Sequence, residues 1–359
     1  MLKRFALIRF LLFSFFFLHV IPFFLKESYQ FITIFNYSIV IFLLFISSFN
    51  KKKIKPISLI FISLIFISIT MAVFGFSGTI SSLILAASIP HFLLSNINSE
   101  KDFIQLFYQP IILCSLLLIL FSAYLYIDVK DILDSYYYLG EYFIIASINY
   151  VPLLFCSFCV ITFILFRAKN KQIDNKLFHS LFFILLVLLT GFYSMIFLTR
   201  TVFVCSFLLL FAHFKKTRIY LILLMLTIAI YNIDAILLEV IKFFGSETIS
   251  DIAADNIRFD SVTNLINSSL SLDFDFRNQM SYSSLINLLF SLFPLTLVYL
   301  YNLLNALIII FKRRDISLFS VFLSSFFLVI YQMDFFSIFA FFLFLEYVIK
   351  IVKNEKYAS

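Results

Sequence analysis

The chain has 359 residues, of which 63% are hydrophobic and 13% charged, with a formal net charge of +7. A soluble domain of this length needs far more polar surface over its core, so a soluble enzyme is excluded. The positive balance is taken up by membrane topology, as the loops below show, and gives no argument for binding nucleic acid.

Runs of about 20 apolar residues recur along the whole chain, the length a helix needs to cross the hydrocarbon core. They are Phe, Ile and Leu stretches without alternation in segments of about ten residues, which argues against a transmembrane β-barrel. Helices are the remaining way to satisfy backbone groups in lipid. The expectation is an all-α, polytopic membrane bundle of about twelve spans, forming one domain over residues 1–359.

In chain order, the first segment opens with Lys3 and Arg4 and runs straight into Phe and Leu. That is the charge pattern of a signal sequence, but no small-residue cleavage site follows, so an uncleaved first span is expected. Hydropathy and turn signals place spans at 5–25, 31–49, 57–74, 77–95, 103–127 and 143–166. Further spans follow at 177–195, 197–214, 219–241, 284–311, 316–332 and 335–352. With this division, 20 of the 27 Lys and Arg fall on one side and five on the other, with Arg9 and Arg200 inside spans. The side rich in Lys and Arg is the cytoplasmic one by the positive-inside rule, which puts both termini in the cytoplasm of a bacterial inner membrane. Arg9 lies close to that side and is expected to snorkel.

Cys114, Cys156, Cys159 and Cys205 all lie in apolar runs, and the CxxC of VPLLFCSFCVITF is expected to supply two small apolar residues one turn apart. Nothing nearby offers partner ligands, so no metal site is expected. None of the four histidines falls in the long outer loop, and no P-loop or Rossmann glycine pattern exists among only five glycines. No cofactor is therefore expected, nor ATP coupling within the chain.

The outer side carries two acidic, aromatic-bearing loops, Asp128 to Tyr142 and the much longer 242–283. The tyrosines of SYYYLGEY fit an interfacial belt. A connection of about 42 residues in an otherwise minimal bundle needs a reason. It supplies Arg258 and Arg277, Asp251, Asp255, Asp260, Asp273 and Asp275, with amides that include Asn278. A guanidinium fits phosphate oxygens in bidentate fashion, and a carboxylate can act as general base toward a sugar hydroxyl. Arg200 sits in the apolar stretch MIFLTRTVFV, where a charge costs on the order of 2.5–3.5 kcal/mol at a helix centre and less near an end. It faces either an interior site or the outer headgroups. In the ninth span Asp234 is a candidate to pair with Arg200 across helices and Glu239, near the outer end, to join the loop, while Asp334 at the last outer turn is a candidate to face the site.

With these residues in place, the chain resembles the bacterial O-antigen polymerases of the Wzy type and, more widely, the O-antigen ligase and polymerase superfamily. Three features carry the resemblance: the many-span bundle with one long outer loop in its C-terminal half, FLTRTVFV with Arg200 opening a span, and the Arg258 loop leading through FRNQMSYSSLINLLF into the next helix. Ligase-like relatives have a histidine near the end of that loop, where this chain has Ser281 and Tyr282; the departure favours polymerase over ligase. The resemblance implies a substrate of oligosaccharide repeat units on undecaprenyl diphosphate at the outer leaflet, with a chain-length regulator as a candidate partner. It implies Arg200, Arg258 and Arg277 at the diphosphate, Asp260, Asp273 or Asp275 as the base, and Asn278 and Tyr282 at the substrate. The rival class is a lipid-linked-oligosaccharide flippase of the Wzx type, expected to have short, even loops and charges scattered through many spans. A third class is another membrane transferase.

Overall fold

The computed structural model describes residues 2–20, 38–39, 41–43, 56–73, 78–95, 97, 99–129, 150–169, 176–196, 199–214, 283–331 and 335–354. Within them the fold is all-helical. The elements are α1 (Leu2–Val20), α2 (Pro56–Val73), α3 (Gly78–Ser95), α4 (Glu100–Val129), α5 (Tyr150–Lys169) and α6 (Lys176–Ile196). They continue with α7 (Arg200–His213), α8 (Ser284–Phe290), α9 (Leu297–Arg313), α10 (Ile316–Tyr331), α11 (Phe335–Lys350) and a 3₁₀ turn at Val352–Asn354.

Among the described residues, four stretches are long and apolar enough to cross a membrane: Glu100–Phe121, Val151–Ala168, Leu177–Met195 and Phe335–Asn354. Shorter apolar helices accompany them at Ala6–Val20, Pro56–Met71, Ile80–Ser95, Thr201–His213 and Ile316–Ile330. The chain is a membrane protein. Its surface says the same: Phe10, Phe66, Leu120, Leu188, Leu304 and Phe311 are large, apolar and exposed, a surface that water would not tolerate but lipid does.

The sequence pattern decides which helices go inside. In α11 every residue from Phe336 to Val348 is buried. A helix that is apolar all round has no face to give to solvent, so it becomes the core of the bundle. Here α11 packs against α3, α5, α9 and α10. Helix α5 is buried in the same way from Val151 to Phe166. By contrast, α9 buries Val298, Tyr299, Asn302, Leu303, Ala306, Ile309 and Ile310, at helical spacing, and turns Leu300, Leu304 and Ile308 outward. Phenylalanine fills the interior: Phe15 and Phe16 of α1 meet Phe339 of α11 with ring centroids 4.9 and 5.9 Å apart.

Cross-helix contacts fix the directions. Arg9 Nη1 donates to Gln109 Oε1 at 2.9 Å and the Cys114 thiol approaches the Phe13 carbonyl at 3.8 Å, so α1 and α4 run parallel. Arg9 is partly exposed and makes this bond at an exposed position, which is compatible with snorkelling. Ser58 meets His91 and Ser68 meets Ser81, so α2 and α3 are antiparallel. Phe166 stacks on His179 and Phe155 on Tyr193, so α5 and α6 are antiparallel. Ser180 bonds His213 while Gly191 faces Ser206, which makes α6 and α7 a hairpin. Arg167 at the end of α5 pairs with Asp315 at the start of α10 at 2.8 Å, and Arg313 donates to the Lys353 carbonyl at 3.3 Å. These contacts gather Lys101, Arg167, Lys312, Arg313, Arg314, Lys350 and Lys353 at one end of the bundle, hereafter the basic end. The Lys and Arg alternation predicts the same grouping.

Two elements differ from expectation. The span expected at 284–311 is divided into α8 and α9 by a turn at 291–296. Pro294 lies in that turn, where its missing N–H and fixed φ are tolerated and a continuous helix is not. Helix α4 is longer than the 103–127 span and contains Pro110. The spans expected at 219–241 and, for the most part, 31–49 lie outside the described residues, as do Asp234, Glu239 and Asp334.

Candidate functional site

The candidate residues of the long loop, Arg258, Asp260, Asp273, Asp275, Arg277, Asn278 and Tyr282, lie outside the described residues. Of the elements expected to flank that loop, α8, which follows it, is described. Arg200 is the first residue of α7, after the N-cap residue Thr199. The Thr199 N–H donates to the Ser194 carbonyl at 2.8 Å, so a tight turn joins α6 to α7 at the end opposite the basic one. A cation at a helix N-terminus opposes the helix dipole, whereas an anion there is stabilised by about 0.3–1 kcal/mol. The sequence therefore places an arginine at the first position of a helix, where the dipole favours negative charge.

The long loop returns to the bundle at Ser283. Its hydroxyl accepts from the Ile286 N–H at 3.3 Å, capping α8, and it lies 3.4 Å from the Val329 carbonyl near the end of α10. Helix α10 begins beside Arg167 and so runs antiparallel to α5 and α7. Cys205 and Ser324 stitch it to α7: the thiol donates to the Ser324 carbonyl and the hydroxyl to the Cys205 carbonyl, both at 3.2 Å. The helix opened by Arg200 and the helix capped by Ser283 thus both begin at the end opposite the basic one.

A second constellation was missed by sequence reasoning. Glu346 of α11 is 2% exposed, and His91 Nδ1 lies 2.8 Å from its Oε1. The Asn302 amide donates to the same oxygen at 3.1 Å. Lys350 Nζ lies 2.9 Å from Oε2, an ion pair one turn along the same helix, and donates to the His91 carbonyl at 2.8 Å. Ser58 meets His91 Nε2 at 3.1 Å, and Phe61 stacks on the imidazole with centroids 4.3 Å apart. One turn deeper, the Tyr299 hydroxyl meets Ser88 Oγ at 3.0 Å. The cluster joins α2, α3, α9 and α11 near the basic end. The legible signal was an acidic residue inside an apolar run with lysine four residues on, the spacing that puts both on one helix face.

The cysteines are free and buried. Cys159 Sγ lies 3.4 Å from Thr190 Oγ1, so this cysteine packs α5 against α6. Among the described residues, no group of three His, Cys, Asp or Glu is arranged to hold a metal ion.

Comparison of the chain with protein-family models, curated proteins and solved structures finds no match.

Proposed function

We propose that this chain is an O-antigen polymerase of the Wzy type, joining undecaprenyl-diphosphate-linked oligosaccharide repeat units at the periplasmic face of a bacterial inner membrane. In the reaction, the hydroxyl at the non-reducing end of one lipid-linked unit attacks the anomeric carbon of the growing chain. A glycosidic bond forms, the bond from that carbon to the diphosphate breaks, and undecaprenyl diphosphate leaves with the electron pair. The hydroxyl proton passes to a carboxylate, for which Asp260, Asp273 and Asp275 are the candidates. Arg200, Arg258 and Arg277 neutralise the departing diphosphate, and Asn278 and Tyr282 contact sugar. The catalytic power asked of the protein is positioning and charge stabilisation, which need no cofactor.

One observation carries the reading. Arg200 opens α7 at the bundle end where the polar loop returns through Ser283, remote from the basic end. Loss of the gene is expected to leave surface polysaccharide with a single repeat unit in place of a ladder, read by gel electrophoresis.

The buried Glu346 cluster favours the second reading, a lipid-linked-oligosaccharide flippase, because ionisable groups inside spans often mark transport paths. Under that reading loss of the gene removes even the single unit, since none reaches the outer leaflet.

A further inference from the structure

We infer that the contacts of Glu346 with His91, Asn302 and Lys350 form a permanent seal across the basic end of the bundle, which stays closed through the working cycle, so that substrate has access from the opposite end alone. The inference rests on the polymerase reading and sharpens it: the enzyme would work from one side of the membrane, without alternating access.

The argument starts from the chemistry of a gate. A gate needs two arrangements of similar energy, and its groups must find partners in both. An ion pair at the rim meets that condition because water replaces the lost partner. Arg167 and Asp315, with side chains 14% and 17% exposed, form such a pair. The Glu346 cluster is built differently. Its carboxylate is 2% exposed in a core of Phe, Leu and Tyr, and each oxygen has a donor or cation within 3.1 Å.

The partners come from separate helices. His91 is on α3, Asn302 on α9, and Ser58 of α2 holds the imidazole from its other side. Withdrawing α3 or α9 strips Glu346 of a partner while it is still surrounded by apolar groups, and withdrawing α2 strips His91 of Ser58. Buried polar networks of this kind are costly when partly satisfied. Lys350 adds a second tie, because its ammonium bridges the Glu346 carboxylate and a carbonyl in the last turns of α3. Phe61 stacked on His91, and Phe92 edge-on to it at 5.4 Å, close the space around the ring. One turn deeper, Tyr299, Ser88 and Phe342 form a further closed layer, with the Tyr299 and Phe342 rings 5.2 Å apart. Helix α11 takes part in both layers and packs on α3, α5, α9 and α10, so an opening among these described helices would require moving α11.

The test is thiol accessibility in the full chain. Ser58→Cys reports on the seal and Ser88→Cys on the layer behind it; the four native cysteines are buried and the unsubstituted chain is the control. A membrane-impermeant maleimide is applied to inverted vesicles and, separately, to spheroplasts. Each preparation is made with and without accumulated undecaprenyl-diphosphate-linked oligosaccharide. The seal predicts labelling from the basic side at least about tenfold below that of the detergent-denatured sample, unchanged by the lipid-linked sugar, because closed cores open rarely. Labelling from the basic side at either cysteine, in either condition, overturns it. If Ser58→Cys fails to reach the membrane at normal level, Ser88→Cys alone decides. The polymerase reading falls by a different result, an unshortened ladder on gene loss.

Discussion

The two ends of the bundle handle charge in opposite ways. Near the basic end, Glu346 is enclosed with a partner for each oxygen, and it ties α11 to α3 and α9. At the other end, Arg200 begins a helix whose N-terminus itself favours an anion, and the long polar loop comes back at Ser283. One end spends its polar groups on holding helices together. At the other, under the proposed function, a charged substrate arrives.

The largest expected effect breaks the closed end. Lys350→Met leaves the Glu346 carboxylate buried without its cation, and removing one partner of a buried pair costs about 3–5 kcal/mol. Loss of folded protein, read by fluorescence-detected size exclusion after heating, checks it. Glu346→Gln is expected to cost less, about 1–3 kcal/mol, because the lysine left behind is the more exposed partner and can reach the surface. The reverse order would show that the carboxylate does more than hold helices.

The next effect sharpens the open end. If Arg200 and Arg258 bind diphosphate through a bidentate fork, lysine replaces them poorly. A lost charged hydrogen bond of about 1.5–3 kcal/mol predicts roughly 10- to 100-fold less polymer from Arg200→Lys or Arg258→Lys, at normal membrane level. Arg277→Lys is expected to be intermediate. Full ladders from Arg200→Lys and Arg258→Lys together would remove the clamp. Arg9→Lys is the control, since Arg9 makes a single bond to Gln109 that an ammonium can also make.

The smallest effect concerns packing. Cys159 faces Thr190 and does no chemistry in this account, so Cys159→Ala should keep the ladder and cost about 1 kcal/mol of stability. Loss of polymer from this variant would return the CxxC to the list of functional residues.

Much of the helical order was legible in the sequence because lipid imposes length and the Lys and Arg count imposes direction. The expected spans 57–74, 77–95 and 177–195 match α2, α3 and α6 closely. The division of 284–311 was signalled by Pro294, which hydropathy averages away. Glu346 was passed over because it stands close to the basic C-terminal cluster and its meaning depends on His91, 255 residues away in the chain. The bond of Arg9 to Gln109 was not legible for the same reason, since its partner lies 100 residues on. Local pattern shows where a charge enters a membrane, and only the packing of helices shows what meets it there. For the loop candidates the sequence remains the whole argument, through residue type and spacing.

The most direct measurement is reconstitution. The purified chain is placed in vesicles with undecaprenyl-diphosphate-linked repeat units as the only substrate. The account predicts glycans of increasing repeat number with matching release of undecaprenyl diphosphate, and roughly 10- to 100-fold less of both from the Arg200→Lys protein. Repeat units that stay single while moving from one leaflet to the other would contradict it and identify a flippase.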